Sequence, residues 1–278
     1  MTSSVTSCLS ADLEELATSI NSVYDSARPD TFWELESLFH SFVRSGGITR
    51  AFNANLREML AHPLRPSSKW HVDQITLIEG HFGLYIGKAI PGSHQEDCIN
   101  TSASNAMVIP MGGAIDVKYF KAPKNWRPDV YNEEPLVFEK QATFADGQVI
   151  KLHAGRDIFH LTVEKPICLV KLVSLPSEMF TWSYDVQKLT PFQMASTLGN
   201  DDMLKTAFLF SAEAGWADLT DSILPFTKHS NHSVRWEAMK AIARLSDTEV
   251  VRKLLENLAN DPHPHIRKAA QNSLQKIR

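Results

Sequence analysis

The chain has 278 residues, of which 43% are hydrophobic and 22% charged, and its formal net charge at pH 7 is −4. This composition is typical of a globular protein with one large or two ordinary domains, and it excludes a chain that is disordered throughout. No apolar run approaches the roughly 20 residues that cross a bilayer, and the N-terminus lacks the pattern of a secretory signal. Because Cys8, Cys98 and Cys168 are also far apart, we expect a cytoplasmic protein with reduced thiols.

The first quarter of the chain predicts helices. Between residues 11 and 62, apolar residues recur at the spacing of one helix face. Thr31 is followed three positions later by Glu34, a pattern typical of a capping box at the start of a helix. We therefore assign residues 1–66 to a helical segment that packs on the next domain.

A second type of pattern begins near Trp70. Short runs rich in β-branched and aromatic residues follow one another, separated by turns that contain Gly or Pro. In one run, Ile115 and Val117 alternate with Asp116 and Lys118, which is the pattern of a strand with one buried face. Many short strands at regular spacing predict an antiparallel β-barrel or sandwich over residues 67–188.

The C-terminal segment contains a sequence repeat. Residues 234–245 align with residues 266–277, and Ala238 then falls on Ala270. A helix pair that repeats at this period is a signature of helical solenoids, in which each repeat packs on its neighbours. The second copy resembles HEAT repeats in its sequence. That resemblance implies a stacked helical surface over residues 189–278 that binds a protein partner.

Charge is distributed unevenly along the chain. Residues 228–278 hold ten Lys or Arg and five Asp or Glu, so this segment carries +5 and the remainder carries −9. A positive segment attached to an acidic body predicts an acidic partner or docking of one part on the other. The segment lacks interleaved aromatic residues and a Gly-rich loop, so nucleic acid is not an expected partner.

The middle segment resembles the cupin superfamily in the spacing of its glycines. The family's first motif is Gly, five residues, His-x-His, three or four residues, Glu, six residues, Gly. The corresponding positions here are Gly92, Cys98, Asn100, Asn105 and Gly112. The spacing is kept, but all three positions that carry metal ligands in the family have changed.

The family's second motif is Gly, five residues, Pro-x-Gly, two residues, His. The corresponding positions are Gly147, His153, Gly155 and Ile158, so the glycines remain and the metal-binding His is missing. The resemblance implies an α+β fold with N-terminal helices, an antiparallel cupin-like β-barrel (a double-stranded β-helix) and C-terminal HEAT-like repeats. It also implies that two barrels can pair through their strands, so a homodimer is one expected state.

A second register brings three other metal-binding residues together. His94 and Glu96 lie just upstream of the first motif's ligand positions, and His160 lies two residues after Ile158. Residues two apart in a strand point to the same face. If antiparallel strands pair so that Cys98 faces Ile158, then Glu96 faces His160 one pleat along. Alternatively, the loop before Asn105 is longer than usual, and His94 and Glu96 occupy the family's ordinary ligand positions. Both alternatives bring His94, Glu96 and His160 together.

Two histidines and one carboxylate on one face bind Fe(II) while leaving positions open for dioxygen and substrate. The set resembles the wider double-stranded β-helix oxygenases, which use His-x-Asp/Glu and a distant His. In many of those enzymes a basic residue on the next strand holds the carboxylate of 2-oxoglutarate. The resemblance implies this cofactor-binding role for Lys171, which lies eleven residues beyond His160.

Two functions remain open on this evidence. The first is a cupin-type non-haem iron oxygenase that acts on a small molecule or a protein side chain, with His94, Glu96 and His160 as metal ligands. The second is a metal-free barrel that binds a small ligand or serves as a scaffold without catalysis. The surviving triad favours the first, which we predict, and the changed motif positions favour the second.

Two further predictions concern polar residues outside the triad. Cys98 lies next to acidic residues, which predicts a raised thiol pKa and argues against a nucleophile. His229, His232, His263 and His265 lie in turns of the repeat segment, where we expect them to be exposed to solvent.

Overall fold

The structure is a computed structural model and describes residues 10–61, 74–93 and 96–277. The predicted α+β class is confirmed, because helices occupy both ends of the described chain and antiparallel sheets lie between them. Within the described residues, no helix is long and apolar enough to span a membrane.

The chain divides into two compact units. The first comprises Met1–Lys124 with Glu133–Gln193, and the second comprises Asn125–Asn132 with Met194–Arg278. The short segment 125–132 therefore belongs to the helical unit, although it lies between barrel strands in the sequence. The predicted boundaries after residues 66 and 188 stay a prediction.

The N-terminal segment forms α1 (Ala11–Val23), a 3₁₀ segment (Pro29–Leu35), α2 (Glu36–Arg44) and α3 (Gly47–Ala61). Buried residues such as Leu13 and Ile20 recur on one face of α1, as the spacing predicts. The predicted capping box at Thr31 is wrong. The Thr31 hydroxyl accepts a hydrogen bond from the Asp25 amide at 3.0 Å and donates to the Arg28 carbonyl at 2.8 Å, so it closes the turn at the start of the 3₁₀ segment.

The strands form two antiparallel sheets. Their bounds are β1 Gln74–Ile78, β2 Phe82–Ala89, β3 Cys98–Thr101, β4 Ala106–Met111, β5 Ile115–Lys121, β6 Val137–Phe144, β7 Ile150–Leu152, β8 Ile158–Thr162, β9 Ile167–Ser174, β10 Phe180–Asp185 and β11 Pro191–Ser196. The first sheet has the order β1-β2-β9-β4-β7, and the second has the order β11-β10-β3-β8-β5-β6.

Eight of these strands form one long antiparallel ribbon wound into a helix. Strand β5 pairs with β6, β4 with β7, β3 with β8 and β2 with β9, so the ribbon has its tip between β5 and β6. Further pairing of β9 with β4 and of β8 with β5 closes successive turns of the ribbon. This strand order is that of a double-stranded β-helix, the jelly-roll arrangement of cupins.

The two faces of the first sheet pack against different parts of the unit. Val170 and Leu172 of β9 belong to a cluster with the buried residues of the N-terminal helices. Leu169 of the same strand points the other way and packs with Val117 of β5. We call this second group the interior cluster, because it fills the space between the two sheets. Alternation along each strand therefore tells which side chains face the barrel interior.

The helical unit contains α4 (Gly199–Glu213), the short α5 (Thr220–Ile223), α6 (His232–Leu245), α7 (Thr248–Leu258) and α8 (Pro264–Lys276). The period that the sequence predicts recurs in the helix starts, because α6 begins at His232 and α8 at Pro264. Ala238 and Ala270 are both fully buried, and small side chains there let neighbouring helices approach closely.

The hydrogen bonds of the repeat unit recur with the same period. Arg235 donates from one guanidinium nitrogen to the carbonyls of His229 and Ser230. Arg267, the equivalent residue of the next repeat, donates in the same way to the carbonyls of Asp261 and Pro262. Each arginine thus closes the turn before its own helix.

The prediction that the turn histidines are exposed is wrong for His263. Its side chain is 3% exposed, and its Nε2 donates to the Asp129 carbonyl at 2.7 Å. The His232 ring stacks on the His263 ring with centroids 3.7 Å apart. Because Asp129 comes from the segment 125–132, sequence spacing within the repeats gave no sign of this burial.

Candidate functional site

The positions at which cupins carry metal ligands are occupied here by side chains that bond within the barrel. The Asn100 Oδ1 accepts a hydrogen bond from the Ser183 hydroxyl at 2.9 Å, and the Asn105 Oδ1 accepts one from the Ala154 amide at 3.1 Å. Cys98 is buried, and that burial, with the nearby carboxylate of Asp97, raises the pKa of its thiol. The raised pKa was predicted, and it keeps the thiol protonated and a poor nucleophile.

The predicted register between β3 and β8 is wrong. Asn100 pairs with Phe159 and Thr101 with Ile158, so the pairing is displaced by three residues from the one that would place Cys98 opposite Ile158. An odd displacement exchanges the faces of a strand. Positions 98 and 100 therefore share a face with Phe159, and Ile158 lies on the other face.

His160 points away from the barrel interior. Phe159 and Leu161, its neighbours in β8, pack against the interior cluster, so the side chain between them projects from the opposite face. His160 is 4% exposed, and its Nε2 donates to the Glu96 carbonyl at 2.6 Å. The Nδ1 atom then carries a lone pair, and it is buried without a hydrogen-bond partner among the described residues.

Glu96 uses both carboxylate oxygens to hold backbone amides. One oxygen accepts from the Gly92 amide at 2.6 Å and the other from the Val163 amide at 2.8 Å. A metal that took this carboxylate would compete with both hydrogen bonds, so Glu96 fits the predicted ligand role poorly, whereas the Nδ1 of His160 fits it. His94 lies outside the described residues. No group of three or more metal-binding side chains occurs in the described part of the chain, and the triad stays a prediction.

Lys171 projects into the barrel. It lies between Leu169 and Val173 of β9, both of which pack in the interior cluster, and it pairs with Tyr85 of β2 and Val108 of β4. Burial lowers the pKa of its amine, since desolvation disfavours the charged form. We find no hydrogen bond or ion pair to Lys171 within the described residues. Because Lys171 and His160 face different spaces, the structure does not bring the two together, and the cofactor-binding role stays a prediction.

A cavity of about 480 Å³ opens beside Tyr119. We call it the Tyr119 cavity. Strands β5, β6, β7 and the turn before β8 contribute its lining. Its charged lining consists of four cations and two acids: Lys121, Lys140, Lys151, Arg156, Glu139 and Asp157. With neutral histidine, the lining therefore carries a surplus of positive charge.

Existing ion pairs neutralise this surplus only in part. Lys121 pairs with Glu139 at 3.1 Å, and Lys151 pairs with Glu36, at 2.6 Å, from outside the cavity. Lys140 pairs with no carboxylate among the described residues and lies 4.9 Å from the centre of the Tyr119 ring. Lys140 therefore offers an unpaired charge to a ligand.

His153 and Asp157 form an oriented pair in the wall of the Tyr119 cavity. The Asp157 Oδ2 accepts from the His153 Nδ1 at 3.0 Å and from the His153 amide at 2.7 Å. The imidazole also packs on the Trp33 ring, with centroids 4.4 Å apart. A histidine whose Nδ1 donates to a carboxylate keeps Nε2 as a base. Nothing among the described residues hydrogen-bonds to that nitrogen.

Tyr119 lies close enough to Asp157 for the carboxylate to act on its phenol. Burial, and then the charge of Asp157, raise the pKa of Tyr119. The phenol is therefore protonated at neutral pH and can donate a hydrogen bond into the cavity. The grouping of Tyr119, His153 and Asp157 was not predicted from the sequence. The signal was the four-residue spacing of His153 and Asp157 around Gly155, whose φ of +64° makes the tight turn that brings them together.

A family model matches the helical repeats, whereas the barrel has distant structural matches. Residues 212–278 match the sequence model of HEAT repeats, so HEAT repeats are confirmed for that segment. No curated protein matches the chain. The fold assignment of the barrel rests on its strand order.

The chain is similar to solved structures at low identity. Hydroquinone 1,2-dioxygenase from Sphingomonas sp. TTNP3 is 14% identical, over 40% of this chain and 70% of its own, with a TM-score of 0.30. A cupin superfamily protein from Desulfitobacterium hafniense DCB-2 is 8% identical, over 40% and 84%, with a TM-score of 0.25. A Klebsiella pneumoniae protein with a double-stranded β-helix domain is 12% identical, over 41% and 80%, with a TM-score of 0.27. At these scores the likenesses carry no functional argument.

Proposed function

We propose that the barrel binds a small anionic molecule in the Tyr119 cavity, and that the HEAT repeats bind a protein partner. The observation that carries the first part is the unpaired charge of Lys140 beside a cavity of ligand size. Arg156 lies 3.7 Å from Asp157, beyond hydrogen-bond distance, so its guanidinium also has donors left for a carboxylate or phosphate. This proposal adopts the metal-free, ligand-binding alternative. It assigns the ligand to the Tyr119 cavity and to the class of small anions.

Calorimetric titration with 2-oxoglutarate and with inorganic phosphate tests this proposal. We expect at least one of the two anions to bind, and the Lys140→Ala, Arg156→Ala double variant to weaken that binding by about tenfold or more, because charge-assisted hydrogen bonds are lost. Lys188→Ala removes an exposed lysine outside the cavity and is the matched control. Failure of both anions to bind, or equal affinity in the double variant, would contradict the proposal.

A second candidate is the cupin-type non-haem iron oxygenase with His94, Glu96 and His160 as ligands and 2-oxoglutarate on Lys171. The observation in its favour is His160, because a ring that donates Nε2–H to a carbonyl and keeps a buried, unpartnered Nδ1 resembles an oriented metal ligand. Bound Fe(II) would supply dioxygen activation. The hydrogen bonds of Glu96 count against this candidate, as does the separation of Lys171 from His160.

Anaerobic loading with Fe(II), followed by metal analysis, tests the second candidate. One iron per chain, lost in His160→Ala and retained in Cys98→Ala, would support it, since Cys98 is not a member of the triad. Iron binding should also weaken in acid, because protons compete with the metal for the ligand atoms. A wild-type protein that retains no iron would rule this candidate out and leave the anion-binding proposal untouched.

A further inference from the structure

The His153–Asp157 pair makes one more hydrogen bond than is needed to close its turn. The backbone amide of His153 already closes the turn on the Asp157 carboxylate, at 2.7 Å. The additional bond from Nδ1 to the same oxygen, and the packing of the ring on Trp33, fix both the tautomer and the direction of the imidazole. Fixing a histidine in this way is how proteins prepare a general base.

The groups around the imidazole complete a small reaction site. Tyr119 lines the same cavity and keeps its proton, so it can donate to a developing oxyanion. Lys140 and Arg156 provide positive charge for a carboxylate. The cavity thus combines a base, an oxyanion donor and a carboxylate site.

We propose that His153 acts as a general base on a bound 2-oxo carboxylate, removing a proton from the carbon next to the carbonyl group. This inference rests on the proposed anion-binding function and names the substrate class of the same cavity. The carbonyl group selects the class, because it makes the adjacent C–H acidic and gives Tyr119 an oxygen to stabilise.

The proton transfer balances without an oxidant or a second substrate. The C–H bond breaks, its proton goes to Nε2 of His153, and the electron pair moves onto the carbonyl oxygen to form an enolate. Tyr119 donates a hydrogen bond to that oxygen. Return of a proton to the carbon reverses the step, and in D₂O the returning atom is deuterium once the imidazolium has exchanged with solvent.

Proton NMR in D₂O measures this exchange directly. With 2-oxoglutarate as the probe, we expect the wild-type protein to accelerate loss of the signal of the methylene next to the carbonyl. His153→Gln should slow the protein-dependent exchange by about 100-fold or more, the usual contribution of a general base. Tyr119→Phe keeps the ring beneath Lys140 and should slow exchange by about tenfold or more through the lost donor. His265→Gln, at an exposed position in the first turn of α8, is the control and should exchange as the wild type does.

The pH dependence separates a base from a structural residue. Wild-type exchange should depend on pH, and this dependence should disappear in His153→Gln. Asp157 accepts from the ring, Arg156 and Lys151 line the same cavity, and all three remain in that variant.

Binding and exchange together distinguish the two proposals. Binding of 2-oxoglutarate by calorimetry with no accelerated exchange would overturn the role of His153 and leave anion binding intact. Binding of phosphate without binding of 2-oxoglutarate would overturn the role of His153 and leave anion binding intact, and failure of both anions to bind would overturn both proposals. Exchange that persists in a folded His153→Gln protein, as judged by circular dichroism, would also overturn the general-base role.

Discussion

Replacing Arg235 by Ala should lower the free energy of unfolding by about 3–5 kcal/mol, because it leaves the carboxylate of Asp261 buried without its cation. Arg235 and Asp261 are 8% and 6% exposed. The guanidinium donates to both carboxylate oxygens, at 2.8 and 2.7 Å, and closes the turn at the His229 carbonyl as well. Urea denaturation of the full chain, followed by far-ultraviolet circular dichroism, measures the loss.

Arg267→Ala is the matched control. Arg267 makes the equivalent turn contacts, at 2.7 Å to the Asp261 carbonyl and 2.8 Å to the Pro262 carbonyl, and pairs with no carboxylate among the described residues. We expect its loss to cost about 1 kcal/mol, the net value of ordinary hydrogen bonds. Equal losses in the two variants would show that the turn contacts, and not the buried pair, give Arg235 its effect.

The repeat could be predicted because its signal is local and periodic. One constant shift aligns Ala238 with Ala270 in sequence, and the structure repeats both their burial and the turn contacts of Arg235 and Arg267. The buried pair with Asp261 was not predicted, since it joins successive repeats and leaves no periodic trace in a single copy.

The strands of the barrel could be predicted, but their register could not. Alternation in β5 correctly places Ile115 and Val117, both fully buried, on one face. Alignment of two degenerate motifs did not fix the pairing register of β3 with β8. The observed register differs by three residues from the one that places Cys98 opposite Ile158. Because side chains alternate, that difference alone turns His160 out of the barrel interior.

The Tyr119 cavity escaped prediction for a related reason. Its members come from different strands and from the turn before β8, so only the wound ribbon brings them together. His153 was recognised as a position of the second motif, where the family has Pro. Its role depends on the hydrogen bond from its Nδ1 to Asp157, and the left-handed conformation of Gly155 brings these two residues together.

Lowering the pH from 7 to 4 should destabilise the helical unit through His232. Burial, followed by the neighbouring charges of His263 and Arg235, lowers the pKa of His232 from 6.5 to about 4. The folded state therefore prefers the neutral ring more strongly than the unfolded state does. The resulting stability is fully present above pH 6.5 and is lost as the pH falls towards 4. Because water partly screens His232, we expect a loss of about 1–2 kcal/mol.

The variant His232→Phe isolates this contribution. Phenylalanine keeps an aromatic ring against His263, where the centroids lie 3.7 Å apart, and cannot take up a proton. Urea unfolding at pH 7, 6, 5 and 4 should therefore show a smaller decline in stability for the variant than for the wild type. Other groups titrate in the same range, so the contribution of His232 is the difference between the two proteins in how far the free energy of unfolding falls. His81→Gln, at an exposed site before β2, should follow the wild-type decline. If His232→Phe declines as steeply as the wild type, then the acid sensitivity of this unit lies in other groups, and the stacked ring of His232 accepts its proton without cost to the fold.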